Sequence, residues 1–264
     1  MSAAVQDGLT ATIAGVGFWT DGLPDWASAR AFAIDGTRPD AAPTRPSPQL
    51  LAPNERRRAP GSVAVALEVA LAACRDAGIA PETLPSVFAS THGDLGITDY
   101  MCETLATDAT AISPTRFHNS VHNAAAGYWT IGTGCTEATT ALSAFDATFA
   151  QGLLEALTQL ATGAPAVLLV AYDTASSGLL GTVTRSEGLL GAALVLVREG
   201  TGPRLSARLC DGAELAPPGA LQAHAAGNAM MEMLPLFDAL ASGAARALLR
   251  AGPHRLLSLE LAHD

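Results

Sequence analysis

The side chains able to carry chemistry in this sequence are a scatter of acids, histidines and thiols, and their spacing narrows what they can do. Asp146 stands in TTALSAFDATFAQGLLEALTQL, where a short Thr-rich strand, Thr139 to Phe145, gives way to a helix, Ala147 to Ala161. Backbone N–H groups converge where a strand hands over to a helix, and they favour an anion or a reacting group. The spacing predicts Asp146 as the N-cap of that helix. A carboxylate is a weak nucleophile, so Asp146 reads as a capping group, with general-base work as its alternative.

His118 and His122 are four residues apart, which on one helix would place two ligands on one face. No H-E-x-x-H pattern and no third ligand accompany them, so no metal site is expected. Hydrogen-bonding roles at an interface or cavity are expected instead, shared with the neighbouring Asn119 and Asn123. Cys135 in GTGCTE precedes a strand, where no helix dipole lowers a thiol pKa, and Cys74 and Cys102 fall within helical patterns as core fillers. Asp173 ends an apolar strand ahead of Ser176 and Ser177, a common place for sites, yet no G-x-S-x-G turn supports a hydrolase triad. The glycines of GLLGTVTRSEGLLG do not form G-x-G-x-x-G after a strand, so neither nucleotide nor other cofactor is expected.

The elements that position these residues follow from period and punctuation. Thr139 to Phe145, Ala147 to Ala161 and the apolar run Ala166 to Ala171 make a βαβ unit. Upstream, Leu9 to Trp19 reads as a strand and Asp35 to Pro60, rich in Pro and Arg, as a loop. Ser62 to Ala77 is an amphipathic helix stopped by Gly78, and Ser86 to Ser90 a buried strand. Leu95 to Leu105 and Ser120 to Ile131 read as helices. Downstream, Gly191 to Val197, Arg204 to Cys210 and Leu256 to Leu261 read as strands, and Asn228 to Leu249 as a helix bent at Pro235. Pro217-Pro218 marks a flexible connection. Strands alternating with helices imply a layered α/β sandwich.

The 264 residues, 49% hydrophobic, are enough for one α/β domain with a substantial core. The net charge of −10 and the absence of any Lys argue against nucleic acid and anionic membrane, and they remove Schiff-base and phosphate-loop chemistry. The only basic run is Arg56 to Arg58. The four cysteines, including Cys210, are scattered without C-x-x-C spacing, which suits a reduced cytoplasm. The N-terminal MSAAVQDGLTATIAG has no basic or long apolar leader, and no stretch reaches the roughly 18 apolar residues of a membrane span.

The helix SVAVALEVALAACRDAG, the strand and turn VFASTHGD, the segment NSVHNAAAGYWTI and the strand, turn, helix and strand through Asp173 together resemble the N-terminal half of the β-ketoacyl synthases. The resemblance implies a thiolase-like layered sandwich, with the N-terminal half followed by a truncated C-terminal part: a single domain over residues 1–264, with a core at 9–200 and an abbreviated tail at 201–264. In that family a Cys nucleophile sits at the strand-to-helix turn, a position that falls on or close to Asp146. The later catalytic histidines have no match among His224, His254 and His263. The chain therefore resembles a short chain length factor, as found with aryl polyene and related polyketide or fatty acid pathways.

The resemblance implies no catalytic residue here and a pairing with an active β-ketoacyl synthase, or with a second copy, through the strand Thr139 to Phe145. Acyl carrier protein is met indirectly. Phe145, Phe149, Tyr128 and Trp129, with His118, Asn119, His122 and Asn123, become the candidates for the acyl tunnel or interface. The competing expectation is a stand-alone acyl-thioester enzyme, an acyltransferase, thioesterase or decarboxylase, that uses Asp146 as base with His118 or His122 nearby.

Overall fold

The computed structural model describes residues 8–263, so the first seven residues of the N-terminal stretch read as lacking a leader lie outside the described residues. In chain order the strands are β1 (Leu9–Thr20), β2 (Ser86–Ala89), β3 (Thr139–Leu142), β4 (Ala166–Thr174), β5 (Leu189–Val197), β6 (Arg204–Asp211), β7 (Arg246–Gly252) and β8 (Arg255–Ala262). The helices are α1 (Trp26–Asp35), α2 (Pro53–Arg58), α3 (Gly61–Ala77), α4 (Leu95–Thr107), α5 (Pro114–His118), α6 (Ala124–Thr133), α7 (Thr148–Ala161), α8 (Gly178–Gly181), α9 (Ala220–His224) and α10 (Leu234–Ser242). All strands join one sheet in the order β3-β2-β4-β5-β1-β6-β8-β7. β3, β2 and β4 are parallel and every other pairing is antiparallel.

β4 is apolar throughout because both of its faces are covered. Val167, Leu169 and Ala171 meet Leu153, Leu157 and Leu160 of α7, while Leu168, Val170 and Tyr172 belong to the second core, under α3 with Val65 and Val69. α3 lies directly on β1. A Cβ on Gly17 would stand 2.0 Å from the Val69 carbonyl oxygen, and one on Gly15 would stand 2.3 Å from that of Ala73, so the GVG of β1 is what lets the helix approach.

β1 turns the sheet. Its first residues, Leu9 to Thr12, pair with β6, the rest pairs with β5, and a bulge falls between Ile13 and Gly15. α7 packs on both β4 and β7, which stand five strands apart in the sheet order. At about 4.8 Å per strand a flat sheet would separate them by over 20 Å, so the sheet curls at the bulged β1 and encloses α7 and α10. The layers run α3, first sheet half, α7 with α10, second sheet half: a mixed α/β layered sandwich of thiolase type.

Several expectations are corrected. α1 was not foreseen, although Asp25 and Ser28 form a reciprocal capping box and Gly36 closes the helix at φ 79. α2 sits inside the segment read as loop. Asn228 to Leu249 is not one helix but a 3₁₀ turn (Ala229–Met233), α10 and then β7. Ser120 to Ile131 begins only at Ala124, and the strand expected to reach Phe145 ends at Leu142. Among the described residues, no helix is long and apolar enough to cross a membrane.

Candidate functional site

The carboxyl ends of the parallel strands β3, β2 and β4 open on one edge of the molecule, where the chain leaves the sheet and backbone groups lose their ladder partners. At the end of β4 Asp173 is fully buried. It accepts a 2.7 Å bond from Ser90 Oγ and 3.1 Å bonds from Thr91 N, with His92 N at 3.4 Å. Burial pushes the Asp173 carboxyl above the usual range, and the bonds from Thr91 and Ser90, with the His92 charge, pull against that. Around it, His122 Nε2 lies 2.8 Å from the Ser90 carbonyl oxygen, Ser143 Oγ donates to the Thr91 carbonyl at 2.9 Å, and Asn228 Nδ2 bonds the Asp173 carbonyl at 3.3 Å. Asp173 thus ties the loop after β2 to the end of β4.

β3 passes into α7 through a 3₁₀ turn, Phe145–Ala147, whose first residue has φ 50. A left-handed backbone at a non-glycine residue is strained by about 1–2 kcal/mol, and something must hold it. Thr148 is the local clamp. Its Oγ1 accepts from Ala144 N at 2.9 Å and donates to the Phe145 carbonyl at 2.6 Å. The turn aims the Phe145 side chain out of the molecule, 72% exposed.

Asp146 does not cap α7. That helix begins at Thr148, behind Ala147, without a side-chain cap, because the turn rotates Asp146 away from the helix N–H groups. Asp146 Oδ2 lies instead 3.3 Å from Arg250 Nε on β7, and the same nitrogen is 3.8 Å from Glu232 Oε2. Burial pushes the Glu232 carboxyl up, with Arg250 lowering it and Asp146 raising it. Neither Glu232 nor Arg250 was singled out from the sequence. The one available signal was a charge inside the alternating run RALLRAG.

The remaining expected residues separate into two groups. Phe149 is buried on α7 with its ring centroid 6.1 Å from that of Phe237, and Trp129 is buried 6.4 Å from Phe88. Both pack among other aromatics in the core of the chain. Tyr128 is half-buried and stacks edgewise on His118 at 5.7 Å. His118 ends α5 whereas His122 and Asn123 lie in the turn before α6, so the two histidines do not share a helix face. Asn119 is buried at the end of α5, and His122 and Asn123 line a cavity of about 360 Å³ beside Thr139 and Ala141 of β3. Asp146, His118 and His122 have separate partners and form no acid–base set.

None of the four thiols lies at the turn. Cys74 is buried and its thiol is pushed up to about 12, Cys135 is buried against the Leu84 carbonyl, Cys210 lies on β6 and Cys102 on the outside of α4. Of the Arg run, Arg56 is spent on the Leu51 carbonyl. Among the described residues, no three His, Cys, Asp or Glu side chains stand together as metal ligands.

Residues 25–255 match the model of the β-ketoacyl synthase N-terminal domain. No curated protein sequence matches the chain. Among solved structures, a chain of the ketosynthase in complex with its chain length factor from Xenorhabdus doucetiae is similar at 23% identity and TM-score 0.74, over 95% of this chain and 99% of that one. A chain of the ishigamide ketosynthase/chain length factor is similar at 17% identity and TM-score 0.72, over 96% and 99%. The module 1 ketosynthase of the bacillaene synthase from Bacillus amyloliquefaciens is similar at 13% identity and TM-score 0.58, over 78% of this chain but 47% of that chain. At these identities the likeness is one of fold.

Proposed function

Because the chain belongs to the β-ketoacyl synthase N-terminal domain family, we propose that it is a subunit without condensing activity of its own, which pairs with an active β-ketoacyl synthase and shapes its acyl tunnel in polyketide, aryl polyene or fatty acid-type synthesis. Residues 1–264 act in this reading as one ketosynthase N-terminal-like domain. The observation that carries it is the β3–α7 turn. The strained, outward-facing residue there, where a family nucleophile would be presented, is Phe145, and Asp146 beside it is paired with Arg250. An aromatic ring cannot accept an acyl group, but it can fill or close a cavity.

The surroundings of the turn support pairing. β3 is an edge strand with one side of its ladder open, a surface that seeks a partner strand. Phe117, Val121 and Ile131, all exposed, lie on or beside α5 and α6, and α6 packs against β3. Four free thiols suit a reducing compartment such as the cytoplasm. The competing reading, with Asp146 as base, loses its geometric footing because Asp146 serves Arg250 and His122 serves the Ser90 carbonyl.

The test is co-expression with each β-ketoacyl synthase encoded near the gene, followed by mass measurement in solution and a condensation assay of each subunit alone and together. A one-to-one complex whose activity requires the partner's cysteine is expected. Condensation by this chain alone would overturn the reading, and a homodimer indifferent to every ketosynthase would point to a structural role.

A further inference from the structure

We infer that Arg250 is a positioning residue for the Phe145 turn, holding it from the second sheet half through Asp146. The inference rests on the reading of Phe145 as the residue presented to the partner. Three elements distant in the chain meet at this guanidinium: the 3₁₀ turn through Asp146, the Ala229–Met233 turn through Glu232, and β7 itself. Thr148 fixes the helix side of the Phe145 turn by two hydrogen bonds, and Ala147, Thr148 and Phe149 are buried, but Phe145 and Asp146 themselves stand exposed outside that anchor. A second tether from outside is needed to fix where the ring points. Arg250 supplies it from β7, which is hydrogen-bonded to β8 in the second sheet half.

Glu232 fixes Arg250 in turn. Its side chain is only 16% exposed and its Oε2 is buried without a hydrogen-bond partner, so the neighbouring cation is the one group near enough, at 3.8 Å, to offset its charge. Arg250 therefore stands between a largely buried carboxylate, Glu232, and one, Asp146, that is attached to the turn. Gln151 adds a parallel link, its Nε2 donating 2.8 Å to the Ala251 carbonyl, which ties α7 to the same stretch of β7. In this arrangement the C-terminal segment aims the residue that the β3–α7 turn presents.

The inference is tested without any partner by a nitroxide label on Phe145→Cys, in a background carrying Cys102→Ser and Cys210→Ser, whose electron spin resonance line shape reads the order of the turn. A broad line is expected with Arg250 in place, a narrowed one with Arg250→Gln or Asp146→Asn, and a broad one again with Asp146→Glu, which keeps the charge. Asp146→Asn leaves Arg250 paired with Glu232, so it stands as the test if Arg250→Gln does not fold. Unchanged line shapes in folded Asp146→Asn and Arg250→Gln would overturn the inference. Product length measured on the co-expressed complex separates the two ideas. Narrowed lines with unaltered product length would uphold Arg250 as the tether while removing Phe145 as a length determinant.

Discussion

Truncating Phe145 to alanine should weaken association with the ketosynthase partner while leaving the free chain as stable as before. The ring is 72% exposed, and for an aromatic side chain of about 200 Å² this leaves about 140 Å² to bury at an interface. At about 25 cal/mol per Å² the gross gain is about 3.5 kcal/mol, and ordering the side chain returns about 1 kcal/mol of it. The remainder of about 2–3 kcal/mol corresponds to roughly a 30–150-fold rise in Kd, read by titration calorimetry on separately purified subunits. Ile34 is the matched control: it is 61% exposed but sits on α1, which packs on β1, α9 and α10 away from the β3 edge. Ile34→Ala should leave Kd within about threefold, and both variants should keep the free chain within about 0.5 kcal/mol of native stability. An unchanged Kd for Phe145→Ala, or equal losses for the two variants, would refute the placement of the interface at the β3–α7 turn.

Asp173→Ala should destabilise the chain by about 2–6 kcal/mol in urea denaturation, because it orphans the buried Ser90 hydroxyl and Thr91 N–H. The pH dependence has a defined sign. Burial raises the Asp173 carboxyl above its ordinary 3.8, so above that value the folded state keeps a proton that the unfolded chain has released. This contribution is full below about 3.8 and is lost as pH rises through the folded-state value; native stability relative to Asp173→Asn should therefore decline across that window, and a gap that widens with pH would contradict the assignment. Gly17→Ala drives a Cβ into the Val69 carbonyl and should cost about 1–3 kcal/mol, a fall of roughly 2–10 °C in Tm by calorimetry. Ellman's reagent should find Cys102 fast in the native chain and Cys210 slower, with Cys74 and Cys135 released only in denaturant; more than two thiols titrating in the native chain would mean that one of the buried pair is reachable.

What the sequence determined alone is what short-range physics encodes. The period of Gly61–Ala77 and Thr148–Ala161, the stop at Gly78 and the two-sided apolar run of β4 are set by neighbours within a few residues, and all were legible. The resemblance to the ketosynthases was legible for the same reason, since it rests on contiguous segments. The capping box at Asp25 is equally local, but the helix behind it has almost no amphipathic period to mark it. β7 was not recoverable from its neighbours at all. RALLRAG is made of good helix formers, and only its pairing with β8 and the burial of Ala247, Leu249 and Ala251 against the α7 layer make it a strand.

The site shows the same division. That a strand hands over to a helix near residue 146 was readable, and so was Asp173 at the end of a strand. That Phe145 is the left-handed residue, and that Asp146 turns from the helix to Arg250, was decided by the tertiary structure. The curl of the sheet at β1 brings β7 under the turn, and an ion pair between residues so far apart in the chain exists only once that closure has been made.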